Sequence, residues 1–129
     1  MSSLVYATQE GISLVPQVAT TAGKAVGTTV SVQGYSQVVA ILALGDAVGT
    51  TFSVNYQNAA GSLVPVTNGD CYVNAAGVYK ARINVLEIGP VPVISVDATS
   101  AADVAVAAII LMGSPVVSPS DEPDFKVGN

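Results

Sequence analysis

The sequence holds no histidine, no tryptophan, one cysteine and only four basic residues among 129. Each shortage excludes something. Without histidine there is no side chain that ordinarily titrates near neutrality, and the commonest metal ligand is missing. A nucleophile and base would have to be built on Lys24 or Lys80, and no motif sets either beside a serine. With Cys71 alone, neither an intrachain disulfide nor a cysteine-based zinc site can form. The bases Lys24, Lys80, Arg82 and Lys126 stand against nine acids, for a net charge of −5. Binding to a phosphate backbone needs clustered lysine and arginine, so nucleic acid is not an expected partner. Gly23-Lys24 lacks the upstream glycine and the following serine or threonine of a phosphate loop.

Charge as a whole is scarce. Charged residues make up 10% of the chain, and half of it is hydrophobic; soluble domains carry about 25% charge. That balance excludes disorder over most of the length. The longest apolar run, Val104–Met112, spans nine residues, and a membrane-spanning helix needs about 20, so no membrane is expected. Met1-Ser2-Ser3-Leu4-Val5-Tyr6 lacks the basic region and apolar core of a signal peptide. The expectation is a protein made in a cytoplasm, acting without disulfides or cofactors.

What is present is strand pattern: short β-branched runs broken by glycine, proline and asparagine. Thr28–Gln33 alternates. Thr51–Gln57 sets Phe52, Val54 and Tyr56 against Thr51, Ser53, Asn55 and Gln57. Val78–Val85 sets Tyr79, Ala81, Ile83 and Val85 inward and Lys80, Arg82 and Asn84 outward. Gln37–Leu44, Leu63–Thr67, Cys71–Asn74, Pro92–Ala98 and Asp103–Met112 complete about eight strands. Pro65 marks an edge or bulged strand. Asn68-Gly69 is the strongest hairpin signal, because both positions tolerate positive φ. Ser100–Met112 is alanine-rich and could start as a helix at Ser100, but its β-branched content and Gly113-Ser114-Pro115 favour a strand. The fold class expected is all-β, an antiparallel β-sandwich or jelly roll. It occupies residues 25–113, between an extended N-terminal arm (1–24) and a Pro-rich acidic C-terminal arm (114–129).

Little here can carry chemistry. Asp121, Glu122 and Asp124 could hold calcium only without the spacing of an EF-hand, and a solvated or partner-bound tail is the simpler reading. Asp97 and Asp103 flank an expected turn and read as its caps. Cys71 reads as a small buried hydrophobe. Five tyrosines could form a sugar-stacking platform, but Tyr56 and Tyr79 are in phase with core positions.

The informative feature is excess apolarity. Gln37–Leu44 and Val104–Met112 are apolar on both faces, while a sandwich buries one face of each strand. The second face, with Val39, Ile41, Ala43, Ala105, Ala107, Ile109 and Leu111, calls for another cover. Candidate partner-binding residues are therefore Val39, Ile41, Ile109 and Leu111, the cations Lys80 and Arg82, and the tail residues Asp121, Glu122, Asp124 and Phe125.

The runs Val38–Gly45, Phe52–Gln57, Gly77–Val85 and Val104–Gly113 give residues 28–113 a strand style that resembles small β-sandwich proteins of tailed bacteriophages, of the capsid decoration or cement type. The resemblance implies a non-catalytic structural virion protein on the outer capsid surface. It implies a major capsid protein and copies of the chain as partners, a homotrimer, and terminal arms that reach neighbours. Where related modules carry an acidic Ser-Asp-Asp-Gly type loop, this chain has Asn58-Ala59-Ala60-Gly61-Ser62. A tail or fibre-adaptor component and a carbohydrate-binding module are the alternatives.

Overall fold

The computed structural model describes residues 8–19, 25–35, 37–84, 93–113 and 124–128. They form nine strands and, among the described residues, no helix: β1 Thr8–Ala19, β2 Val30–Ser31, β3 Gln37–Leu44, β4 Thr50–Gln57, β5 Leu63–Val73, β6 Gly77–Ile83, β7 Val93–Ser100, β8 Val104–Gly113 and β9 Phe125–Val127. β1 pairs with β8, β2 with β7, β3 with β6 and β4 with β5, all antiparallel. The chain is thus one long ribbon doubled back at Asn58–Ser62. Two further ladders, β3–β8 and β4–β7, roll that ribbon into two sheets. Their orders are β1-β8-β3-β6-β9 and β2-β7-β4-β5. This is the winding of a jelly roll, an all-β sandwich as expected. β9 is an addition, pairing in parallel with β6.

Alternation along each strand sends every second side chain inward. Val38, Ala40 and Leu42 of β3, Phe52 and Val54 of β4, Ile94, Val96 and Ala98 of β7, and Ala108 and Ile110 of β8 are fully buried between the sheets. Both sides of the sandwich are tied. On one, Ser13 of β1 reaches the second sheet, where its Oγ accepts the Val96 N–H and donates to the Thr28 carbonyl, each at 2.8 Å. On the other, the Gly128 N–H donates to the Thr67 carbonyl at 2.6 Å.

Several expectations are changed. Residues 8–19, read as part of an arm, form the twelve-residue edge strand β1. Register shifts between Ile12 and Leu14 and between Leu14 and Gln17 break its alternation, which is why no period shows in the sequence. Pro16 lies in the second shift, on an edge where a missing N–H costs no ladder bond. Asn68-Gly69 is a bulge, not a hairpin. The β4–β5 ladder jumps from Ser53–Asp70 to Asn55–Pro65, so residues 66–69 oppose Val54 alone, and the two short runs are one strand. Asn68 has φ 57°, the left-handed conformation that made it look like a turn residue. A Cβ on Gly69 would lie 2.7 Å from the Val54 and Val66 carbonyl oxygens, so only glycine fits the bulge.

Val104–Gly113 is a strand, as its β-branching indicates. Thr28–Gln33 shrinks to the two residues of β2. Asp97 caps no turn: it lies inside β7, accepting the Gly27 N–H at 3.1 Å and Asn55 Nδ2–H at 3.2 Å. The expected strand ends at Val85 and Pro92 lie outside the described residues.

Candidate functional site

The two outer faces of the sandwich differ in chemistry. On the four-stranded sheet, β4 shows Thr51, Ser53, Asn55 and Gln57, β5 adds Asp70 and Tyr72, and β7 adds Thr99, while Ser95 and Asp97 on the same side of β7 are buried. Ser53 donates to Asp70 at 2.9 Å and Asn55 to Asp97, while the buried Ser95 Oγ has no hydrogen-bond partner.

The five-stranded sheet turns the opposite surface outward. Parity puts Val39, Ile41 and Ala43 of β3 and Ala105, Ala107, Ile109 and Leu111 of β8 on it, all at least partly exposed. The ladders stack them in rows. Leu111 pairs with Val39, Ile109 with Ile41, and Ala107 with Ala43. β1 extends the middle row with Ile12, opposite Ile109, and adds Val15 and Val18; all three are more than half exposed. β6 closes the rows with Arg82 beside Val39, Lys80 beside Ile41 and Val78 beside Ala43. Val78 is 65% exposed. A shallow apolar depression of about 270 Å³ lies at the Val78 end, lined by Pro16, Ala43, Val78, Ala105 and Ala107 among others. No described strand packs over this face, since every one belongs to the two sheets.

The six candidates read from β3, β6 and β8 therefore come together on one surface. The tail candidates divide. Asp124 is used within the chain: its carboxylate accepts the Lys80 N–H at 2.9 Å, and its own N–H donates to the Lys80 carbonyl. Phe125 pairs with Ala81 and packs, partly buried, against the core rather than joining the apolar rows. The carboxyl-terminal strand thus lies on its own chain rather than on a neighbour. Asp121 and Glu122 lie outside the described residues. Lys126, which the sequence did not single out, stands beside Arg82 in register and is exposed. Three of the four basic residues of the chain accordingly share one edge of the apolar face. Only the topology reveals this, because the pairing of β9 with β6 spans more than forty residues of chain.

Other candidate sites dissolve. Among the described residues no three Asp, Glu or Cys side chains gather as a metal site would require. Tyr35, Tyr56 and Tyr79 pack against the core, while Tyr72 is exposed on the polar sheet, so these four make no aromatic row. Cys71 is fully buried, and its thiol is pushed up to about 11, first by burial and then by the neighbouring Asp70 charge. It is an inert filler of the core. No family model matches the chain, and no curated protein is similar to it.

Proposed function

We propose that this chain is a structural subunit that works by surface burial and without catalysis, a capsid decoration or cement protein of a bacteriophage particle. The observation that carries the reading is the asymmetry of the sandwich. One outer face is polar, and the other is an ordered apolar surface with a cationic edge. Soluble monomers rarely leave a contiguous apolar face of that kind open. The jelly roll suits the role, being a fold that serves viral capsid domains, although the same fold serves lectins. The strand style shared with tailed-phage β-sandwich proteins adds the virion setting. Here the outer face would attach to neighbouring subunits, the major capsid protein and copies of the chain. The particle would be stabilised because separating the subunits re-exposes the face.

The test is direct. Co-expressed with the major capsid protein of the same genome, the chain should co-sediment with shells and raise the temperature at which they come apart. Shells that form and melt identically without it, with the chain left at the top of the gradient, overturn the reading. Attachment to tails but not to shells would move it to the tail or fibre-adaptor role.

A further inference from the structure

We infer that Asn68-Gly69 is a modification site that the fold keeps shut: the asparagine deamidates spontaneously when the β5 bulge opens, and its isoaspartate product cannot close the bulge again. The inference is independent of what covers the apolar face.

The chemistry needs only water. The Gly69 main-chain nitrogen attacks the carbon of the Asn68 side-chain amide. A C–N bond forms, the amide C–N bond breaks, and ammonia leaves with the proton of the attacking nitrogen. A five-membered imide remains. Water opens it at either of its two C–N bonds. One product is aspartate. The other is isoaspartate, in which the main chain runs through the side-chain carbons. Glycine obstructs the attack least, having no Cβ. Asn68 is the one asparagine of the chain that precedes a glycine.

The closed bulge withholds the geometry. Asn68 has φ 57°. In that left-handed region ψ is about +30 to +60°, which sets the next peptide nitrogen nearly opposite the Cα–Cβ bond. Attack needs the two eclipsed, a turn of about 150–180° in ψ. Both flanks resist that turn. On one, the Thr67 carbonyl accepts the Gly128 N–H at 2.6 Å, tying β5 to the residue after β9. On the other, Gly69 is buried, and the Val54 and Val66 carbonyl oxygens stand 2.7 Å from the place of a Cβ. The buried Cys71 thiol donates to the Gly69 carbonyl at 3.8 Å, and Asp70 is held in register with Ser53. The Asn68 side chain is exposed to water. Its protection therefore comes from the pinned main chain and not from burial.

Modification then runs at the rate of the unfolded chain multiplied by the fraction of time the bulge is open. Closing again is a different matter. Isoaspartate adds an atom to the main chain, in a bulge with no room for a Cβ on the next residue. Either product also adds a negative charge two residues from Asp70.

The full chain is incubated at pH 8 in native buffer and in concentrated urea, then digested and weighed by mass spectrometry. Exchange of amide for acid raises the mass of the peptide that holds residue 68. In urea Asn68 should be modified before Asn74, which precedes alanine in an exposed turn. In native buffer Asn68 should slow by about a hundredfold or more, and Asn74 by far less. Rates at Asn68 within about threefold of each other in the two states overturn the inference. So does modification of Asn74 ahead of Asn68 in urea. Chain aged in urea and returned to native buffer tests the product. Molecules with isoaspartate at 68 should show no cooperative melt. Asn68→Asp, which carries the same charge on an unaltered main chain, should fold. Isoaspartate chains that melt like the wild type, or an Asn68→Asp chain that fails to fold, overturn the backbone account of the block.

Discussion

Ser13 and Val96 join the two sheets: the Val96 main-chain N–H donates to Ser13 Oγ at 2.8 Å, across 83 residues of chain. The same hydroxyl donates to the Thr28 carbonyl. A side chain of the edge strand thus satisfies main-chain groups of the second sheet. Ser13→Ala leaves the buried Val96 N–H without its acceptor. The expected cost is about 1–3 kcal/mol, the usual penalty for an orphaned buried group. Urea unfolding measures it, and a loss below about 0.5 kcal/mol would show the tie to be dispensable.

That tie marks where the sequence stops being legible. Strands that alternate cleanly or are apolar throughout, such as Gln37–Leu44, are readable because period and β-branching agree. Residues 8–19 are not, since two bulges scramble their period and one of them places Ser13 where it can reach Val96. Asn68-Gly69 misleads for a related reason: a bulge and a hairpin ask the same left-handed backbone of the same residue types. The candidate surface was half legible. Two apolar faces per strand announce an outer surface that needs cover, but which residues share it depends on pairings far apart in sequence. Lys126 joins Arg82 only through β9.

Gly27 is a second point of contact between distant segments. A Cβ there would lie 2.1 Å from the Val96 carbonyl oxygen and 2.8 Å from Ser13 Oγ. Backbone cannot yield as a flexible side chain does. Gly27→Ala should therefore destabilise by at least the 1–3 kcal/mol typical of overpacking, seen as a fall in the thermal midpoint. A neutral result would mean that the segment at Gly27 can move away from β7 freely.

Burial of Cys71 makes stability depend on alkaline pH. Its folded thiol is raised from the ordinary 9.0 to about 11. The folded state therefore holds its proton where the unfolded chain releases it. The contribution is complete below about pH 9 and is lost as pH rises toward 11. Two units correspond to about 2–3 kcal/mol. Denaturation midpoints should fall across that window in the wild type and much less in Cys71→Ala. Equal slopes would assign the fall to other groups. A thiol reagent at pH 8 should label the unfolded chain and leave the folded one untouched.

Neighbouring residues of β3 give the sharpest contrast between fold and function. Leu42 is fully buried between the sheets, and Ile41 points to the outer face in the middle of the apolar rows. Leu42→Asp puts a carboxylate where it has neither water nor a partner, and should unfold the protein. Ile41→Asp places the same group on the surface of the free subunit. It should cost the isolated fold about 1 kcal/mol, the span of strand propensity. In association the burial is lost and a charge is trapped. Removing an isoleucine from an interface forfeits about 2 kcal/mol, and desolvating the carboxylate adds to that. Affinity should fall by more than about a hundredfold. The wild-type contact, built mainly from apolar rows, should survive high salt, since exposed ion pairs contribute about 0–1 kcal/mol each. Circular dichroism checks the fold, and sedimentation with and without shells checks the contact. An Ile41→Asp chain that folds and still associates, or a wild-type contact that vanishes at moderate salt, would remove the apolar face from the mechanism.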